Sequence, residues 1–145
     1  MKKNPVNGIS WEWQDILDFS GKLLDESNLG EQLNQIKQYF STRLHAKVSI
    51  WLDDNFLPLP DETVSSMFHP DACSPLMKKA LSTGELVNIQ SENARSMAIC
   101  LMFREKIIGA LQLDHVEEIY FPVLEDGLPQ FAHQIAIDLF FTHQM

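Results

Sequence analysis

Two cysteines and five histidines are the side chains of this sequence best suited to nucleophilic or metal chemistry. His69 and Cys73 stand four positions apart and could supply two metal ligands, but a zinc site needs three or four, and no neighbouring pair supplies the rest. Cys100 lies within an apolar run, where a cysteine behaves as a small hydrophobic residue. We therefore predict no metal site and no cofactor.

Paired carboxylates are the second kind of candidate, because two of them can divide acid and base roles. Asp53-Asp54 and Glu117-Glu118 both fall between predicted elements, where acidic pairs are typical of solvated turns. The sequence has no recognisable Ser-His-Asp arrangement or glycine-rich phosphate loop, and neither thiol is flanked by a His or Arg that would favour its thiolate. We predict that the domain is not an enzyme.

Length, charge and composition restrict the class of protein further. The 145 residues suit one domain, with a core over residues 16–143 and a flexible start at residues 1–8. The net charge of −9 is unfavourable for direct binding to nucleic acid or to anionic membranes.

The longest apolar run, residues 97–103, is far below the ~20 residues that span a bilayer, and no secretory signal is visible. With only two cysteines, the predicted location is cytoplasmic.

The first two helices are predicted from apolar residues that recur three and four positions apart. The first begins after Ser10, a plausible N-cap, and runs to Leu24. Asn28 opens the second, whose apolar stripe is Leu29, Leu33, Ile36, Phe40 and Leu44.

Two further helices are predicted later in the chain. Ser74 and Pro75 open a short helix over residues 75–81, and Gly84 ends it. Pro122 introduces the last helix. Because Pro129 lies inside its apolar pattern, we expect the regular part to start there after an imperfect first turn.

Alternating apolar residues predict strands between these helices. A half-buried strand covers residues 47–52, and a turn at 53–55 leads into a short return strand at 56–59. Residues 61–74 are predicted as loop with a helical turn. Strands at 86–89, 97–103 and 106–114 follow, the last two joined by a tight turn at Arg104-Glu105, with polar loops at 90–95 and 114–120. Mostly antiparallel strands flanked by helices predict an α+β fold.

Three stretches resemble the GAF domain, a small-molecule sensor module. They are LSTGELVNI at residues 81–89, MAICLMFREKIIGALQL at 97–113 with Ile107-Ile108-Gly109-Ala110-Leu111 in its second strand, and the closing helix over 125–137. The resemblance implies a GAF-like antiparallel sheet, related to profilin and PAS folds. Its N- and C-terminal helices would pack on one face, with a shorter helix and loops on the other.

Departures from the family pattern bear on the expected ligand. Many family members have proline where Cys100 stands, and the interval between Ile89 and Met97 is a short polar loop instead of a helical lid. The Asn-Lys-x-x-Phe-x-x-x-Asp-Glu signature of cyclic-nucleotide binding is absent. We expect neither a cyclic nucleotide nor a tetrapyrrole.

The resemblance implies a sensory or regulatory domain of a bacterial-type signalling protein. Such a domain binds a small ligand, or passes a signal through dimer helices to an output domain such as a kinase, cyclase or transcription regulator. Two alternatives stay open at this point: a redox enzyme of the free methionine sulfoxide reductase type, and a dimerisation module without a ligand.

Strand alternation sorts the sheet residues into two faces without reference to any family. The apolar face, which we expect the terminal helices to cover, comprises Val48, Ile50, Leu52, Ile99, Leu101, Phe103, Ile107, Leu111 and Leu113. The mixed face comprises Ser49, Trp51, Ala98, Cys100, Met102, Ile108, Ala110, Gln112 and Asp114. Small and polar residues leave room for a ligand recess there. The alternative is a thinner packing layer filled by Met67, Phe68 and Met77, and the short loop after Ile89 favours a collapsed or small recess. The predicted ligand-binding residues are Ser49, Trp51, Phe68, Met77, Cys100, Met102 and Gln112.

Aromatic residues on the terminal helices exceed what one narrow core stripe can bury. We therefore predict a homodimer through these helices, with Trp11, Trp13, Phe140 and Phe141 in the interface. The last helix reaches the end of the sequence without a stop signal, so we expect the chain to be a piece of a longer protein.

Overall fold

The computed structural model describes residues 13–26, 28–53, 70–91 and 94–143. Its helices are α1 (Trp13–Leu24), α2 (Leu29–Leu44), α3 (Pro75–Thr83) and α4 (Phe121–His143), and its strands are β1 (Lys47–Leu52), β2 (Val87–Ser91), β3 (Ala94–Phe103) and β4 (Lys106–Val116). Single 3-10 turns occupy Pro70–Ala72 and Glu118–Tyr120. The predicted cap Ser10, the return strand at 56–59 and the loop containing Phe68 and His69 lie outside the described residues.

Two helix starts and one helix end follow the sequence signals closely. Asn28 Oδ1 accepts a hydrogen bond from the backbone N–H of Glu31 at 3.0 Å, and Ser74 Oγ accepts one from Met77 at 3.0 Å. After α3, Gly84 takes the left-handed conformation with φ 73°. The predicted caps of α2 and α3 are confirmed.

The strands extend further into polar sequence than predicted. Gln90 pairs with Arg95 and Ser91 with Ala94, so most of the predicted loop at 90–95 is a hairpin. On the opposite edge of β3, Arg95 also pairs with Val116, which places the end of β4 beyond residue 114. Ladder hydrogen bonds come from the backbone, so polar side chains can occupy paired strands wherever they face solvent.

The last helix is continuous through its internal proline. α4 begins at Phe121 and contains Pro129, so the expected regular start at Pro129 is wrong. A proline at this position leaves the carbonyl of Glu125, four residues earlier, without its helical donor. Glu125 is exposed, and water can take the place of that donor.

The four strands form one antiparallel sheet in the order β1-β4-β3-β2. Ile50 and Ile99 both pair with Leu111, which aligns the three on the apolar face. This face packs against α1, α2 and α4. The resulting core buries Ile50, Leu52, Ile99, Leu101, Leu111 and Leu113, with Val48 and Phe103 partly buried beside it, so the terminal helices cover the predicted face.

A β-bulge exchanges the roles of two isoleucines. Leu101 pairs with Gly109 and Met102 with Ile107, so Ile108 is an extra residue in β4. Ile108 is fully buried in the core, whereas Ile107 shares the face of Met102. The faces predicted for Ile107 and Ile108 are therefore wrong, because strict alternation fails across a bulge.

Gly109 allows β1 and β4 to come unusually close. An ideal Cβ on Gly109 would stand 2.0 Å from the carbonyl oxygen of Trp51, which is a fixed backbone atom. Beside it, the backbone N–H of Asp53 donates to the carbonyl of Ile108 at 2.9 Å. The Gly within the Ile-Ile-Gly-Ala-Leu stretch thus has a steric role, namely to permit pairing of β1 with β4.

Candidate functional site

Small side chains on the mixed face let α3 pack close to the sheet. Ala98 and Ala110 are fully buried beneath Met77 and Ala80 of α3, and Trp51 packs beside them. This second cluster lies on the opposite side of the sheet from the main core. The recess described next lies beside this cluster and shares Leu76 with it.

A recess of about 400 Å³ lies between the start of α3 and strands β2, β3 and β4. Its polar lining comes mainly from Ser74, Lys79, Ser96 and Gln112, and apolar lining from Pro75, Leu76 and Ile89, with Asn88 at its edge. Ile89 is 60% exposed, a high value for an isoleucine on a sheet face, so apolar surface there is open to a bound molecule. The volume falls in the range of small-molecule sites.

A chain of hydrogen bonds fixes the polar side of this recess. The Ser74 hydroxyl donates to Oε1 of Gln112 and accepts the backbone N–H of Met77 at 3.0 Å. Gln112 Nε2 donates to Oδ1 of Asp114 at 2.8 Å. The amide of Gln112 is held from both ends, so its remaining N–H and carbonyl lone pair have a set direction.

Trp51 contributes an unpaired polar atom to the same face. Its indole Nε1 is buried and has no hydrogen-bond acceptor among the residues that the structure describes. A buried N–H without an acceptor costs about 1–3 kcal/mol. Trp51 is not among the residues that line the recess, so this N–H lies outside that site.

The two cysteines are buried thiols on or beside this face. Cys73 packs in the cluster with Met77, and Cys100 pairs with Ala110; each is 8% exposed. Burial raises the pKa of both thiols, and at Cys73 the Lys78 ammonium partly opposes the effect. Both are therefore protonated at neutral pH, the less reactive form.

The structure brings some of the predicted ligand-binding residues together. Gln112 lines the recess, Trp51 and Met77 belong to the adjoining cluster, and Cys100 faces the same side. Ser49 pairs with Gln112, whereas Met102 lies at the far, hairpin end of the sheet. Phe68 lies outside the described residues.

Of the eight residues that line the recess, sequence reasoning identified only Gln112. It missed the other seven: Ser74, Pro75, Leu76, Lys79, Asn88, Ile89 and Ser96. Ser74 had a visible signal, but only as a helix cap. Ile89 and Ser96 pair with each other, and nothing local in the sequence shows that β2 pairs with β3 at this register. Lys79 enters the site only because α3 packs above these strands.

The residues predicted for a dimer interface have mixed positions. Phe140 packs on Phe103 with ring centroids 5.0 Å apart, while Phe141 is 44% exposed. Trp13 is the first residue of α1, and Trp11 lies outside the described residues. On α1, Leu17 and Leu24 are also exposed, at 44% and 49%.

The described ranges contain neither a metal-ligand cluster nor a helix that could span a membrane. No group of three or more His, Cys, Asp or Glu side chains within residues 13–26, 28–53, 70–91 and 94–143 could hold a metal ion. Over the same ranges, every helix is too short or too polar to cross a bilayer.

Solved structures share this fold at low sequence identity. The chain is similar to the GAF domain of a phosphoenolpyruvate-protein phosphotransferase from Acinetobacter, with a TM-score of 0.52, 13% identity, and coverage of 93% of this chain and 98% of that one. The corresponding GAF domain from Coxiella burnetii gives a TM-score of 0.54 and 12% identity over 87% of this chain and 93% of that one. No protein-family model matches the chain, and no curated protein matches it in sequence. The likeness confirms the expected GAF-like α+β fold.

Proposed function

We propose that this chain, which has the fold of GAF domains, is a non-catalytic regulatory domain of a cytoplasmic signalling protein. It binds a small polar molecule in the recess between α3 and the sheet. The observation that carries the proposal is the Ser74–Gln112–Asp114 hydrogen-bond chain along one wall of that recess. A fixed amide beside open apolar surface is the usual composition of a small-molecule site.

The chemistry of the lining favours a ligand with several hydrogen-bonding groups. Ser96 and Lys79 line the recess together with Gln112, and their side chains have no hydrogen bond or ion pair within the described structure. A ligand that accepts from Lys79 and bonds the Gln112 amide would span the recess. Apolar contact with Ile89 and Leu76 would exclude water from those bonds.

Strand β3 connects the recess mechanically to α4. Ser96 and Ala98 face the recess and α3, while the alternate residues Met97 and Ile99 are buried on the side of α4. A ligand that holds β3 against α3 would stabilise one packing of α4 over another. Such a shift transmits a signal only if the ligand binds the two states with different free energies.

A homodimer through the terminal helices is part of the proposal. Leu17 and Leu24 are seven residues apart on α1, and Ile137 and Phe141 are four apart on α4, so each pair lies on one face of its helix. Ser20 and Gln134 are within hydrogen-bonding distance, so α1 and α4 are adjacent. We propose that a second copy covers these two apolar faces, which we call the apolar stripe of α1 and α4.

The protonated state of both thiols supports a non-catalytic role. A methionine sulfoxide reductase needs a reactive, accessible thiolate, whereas burial raises the pKa of Cys73 and of Cys100. Free buried thiols also fit a reducing compartment such as the cytoplasm.

The proposed site is tested by screening amino acids, organic acids and nucleosides for thermal stabilisation, followed by titration of each hit. Gln112→Leu removes the fixed amide, and we expect it to weaken binding at least about tenfold. Ser82→Ala, at the far end of the same α3 helix, is the matched control and should bind as the wild type does.

Two results would contradict the proposal. One is the absence of any saturable hit, which would favour the dimerisation module without a ligand. The other is a hit whose affinity is unchanged in Gln112→Leu, which would place the site elsewhere.

A further inference from the structure

An open groove of about 680 Å³ runs between α1 and α2, on the side of the helix layer away from the sheet. It is larger than the recess beside α3 and separated from it by the sheet. Its lining comprises Phe19 and Lys22 from α1, Asp25 directly after that helix, and Gln35, Gln38, Tyr39, Thr42 and Arg43 from α2.

The floor of this groove is a rigid aromatic cluster. The ring of Tyr39 lies 4.8 Å from that of Phe19, 5.1 Å from Phe131 and 5.4 Å from Phe40, measured between centroids. Phe19, Phe40 and Phe131 are buried, so this platform cannot shift without disturbing the core. Such a surface can stack a planar ring.

Cations stand on both walls. The guanidinium carbon of Arg43 lies 4.5 Å above the ring of Tyr39, and this contact is the one interaction that the described structure gives the side chain. Lys22 lies on the opposite wall and has no ion pair with any described carboxylate.

The remaining lining groups are suited to hydrogen bonding. The side chains of Gln35, Gln38 and Thr42 have no hydrogen bond within the described ranges. Asp25 is the single carboxylate of the lining, so the groove has an excess of positive charge. The aromatic floor suits a planar ring, and the two cations suit a carboxylate. Together they favour an aromatic acid as the ligand.

We propose that the α1–α2 groove is a second binding site for a small aromatic carboxylate. The exposed Arg43 side chain leaves the face of Tyr39 to bind the carboxylate together with Lys22, and the ring of the ligand takes its place on Tyr39. The site is independent of the recess beside α3 and does not require that recess to bind anything. A bound molecule would contact both α1 and α2 and so stabilise the packing of these two helices.

The probe is 4-hydroxybenzoate, titrated into the ¹⁵N-labelled chain and followed by amide shifts. We expect saturable shifts confined to α1 and α2, weaker in high salt because the cations are exposed. Neutral 4-hydroxybenzyl alcohol keeps the ring and lacks the charge, so it should bind more weakly.

Matched variants assign the contacts. Lys22→Gln and Arg43→Gln should each weaken binding of 4-hydroxybenzoate by roughly three- to fivefold, the scale of exposed charge pairs. Lys79→Gln removes a cation from the recess beside α3 and should have no effect. All three positions are exposed, and an unchanged amide spectrum without probe verifies that each variant folds.

Three results would overturn the proposal: no saturable shift, equal affinity for the alcohol and the acid, or loss of binding in Lys79→Gln. The last would mean that the acid binds in the recess beside α3, which would support the proposed function while refuting the second site.

Discussion

Gln134 Nε2 donates a hydrogen bond to Oδ1 of Asp138, one helical turn further along α4, at 2.9 Å. The same amide lies 3.4 Å from the Ser20 hydroxyl of α1, and Ser20 also hydrogen-bonds the carboxylate. Asp138 is 1% exposed, and within the described structure its Oδ2 has no partner. The junction of α1 and α4 therefore contains an incompletely satisfied buried acid.

The pH dependence of stability follows from that burial, which raises the pKa of Asp138 despite its two hydrogen bonds. The folded state then favours the protonated form. Asp138 stabilises most below its unfolded pKa of about 3.9, and this contribution is lost as pH rises through the higher folded pKa. Asp138→Asn cannot ionise, so we expect it to be more stable than the wild type at neutral pH, by about 1 kcal/mol.

Urea unfolding of both proteins at several pH values measures this effect as a difference. Because both proteins contain His143, its contribution cancels when their unfolding free energies are subtracted. Burial lowers the pKa of His143, so its contribution to stability changes with pH in the direction opposite to that of Asp138. Asp126→Asn changes an exposed carboxylate of the same helix and should be nearly neutral. A constant difference between wild type and Asp138→Asn at all pH values would contradict the prediction.

Gly109→Ala is expected to prevent normal pairing of β1 with β4. Its Cβ would stand 2.0 Å from the Trp51 carbonyl oxygen, and we expect the free energy of unfolding to fall by about 3 kcal/mol or more. Gly21→Ala is the control: no atom lies within 4 Å of its added Cβ, and alanine in α1 should stabilise by about 1 kcal/mol. Equal effects in urea unfolding would mean that close strand approach is not the role of Gly109.

The β3–β4 turn offers a stabilising change. Arg104 and Glu105 both have positive φ, 51° and 64°, as a two-residue type I′ turn requires. The left-handed conformation costs a residue other than glycine about 1–2 kcal/mol. Glycine avoids that cost but loses more backbone entropy on folding, so we expect Glu105→Gly to raise the free energy of unfolding by about 0.5–1 kcal/mol. Glu85→Gly is the control, because Glu85 is exposed and has an ordinary negative φ, and this variant should not be more stable than the wild type. Thermal melts compare the two variants, and a higher melting temperature for Glu85→Gly than for Glu105→Gly would refute the type I′ turn.

The proposed dimer predicts which surface charges disrupt it. Leu24→Glu and Phe141→Glu place a carboxylate on the exposed apolar stripe of α1 and α4, and we expect both variants to be monomers by light scattering. Ile119→Glu alters an equally apolar, 39% exposed residue away from that stripe and should leave the dimer intact. A monomeric wild type at high concentration would refute the interface.

Alkylation tests the state of the two thiols. Because burial raises the pKa of Cys73 and Cys100, both should react with iodoacetamide at neutral pH more slowly than glutathione does. Mass spectrometry after proteolysis distinguishes the two sites, and the urea-unfolded chain provides the fully reactive control. One cysteine that reacts faster than glutathione in the folded chain would reopen the redox-enzyme alternative.

Helix caps and strand faces were predictable because their signals are local. Asn28 and Ser74 cap through a backbone N–H three residues away, and the alternation that places Ile50 and Leu111 on the core face spans only a few residues. The same local reasoning failed at Ile107 and Ile108, since a bulge is defined by the partner strand.

The recess depended on contacts between residues far apart in the chain. Alternation selected Gln112 for the mixed face, but its partner Ser74 lies 38 residues earlier, and their hydrogen bond exists because α3 packs over β4. Hydrophobic patterning decides which faces are buried, since burial of apolar surface follows the period of each element. The packing of α3 on the strands decides which polar atoms meet, because hydrogen bonds require distances and angles that no single segment contains.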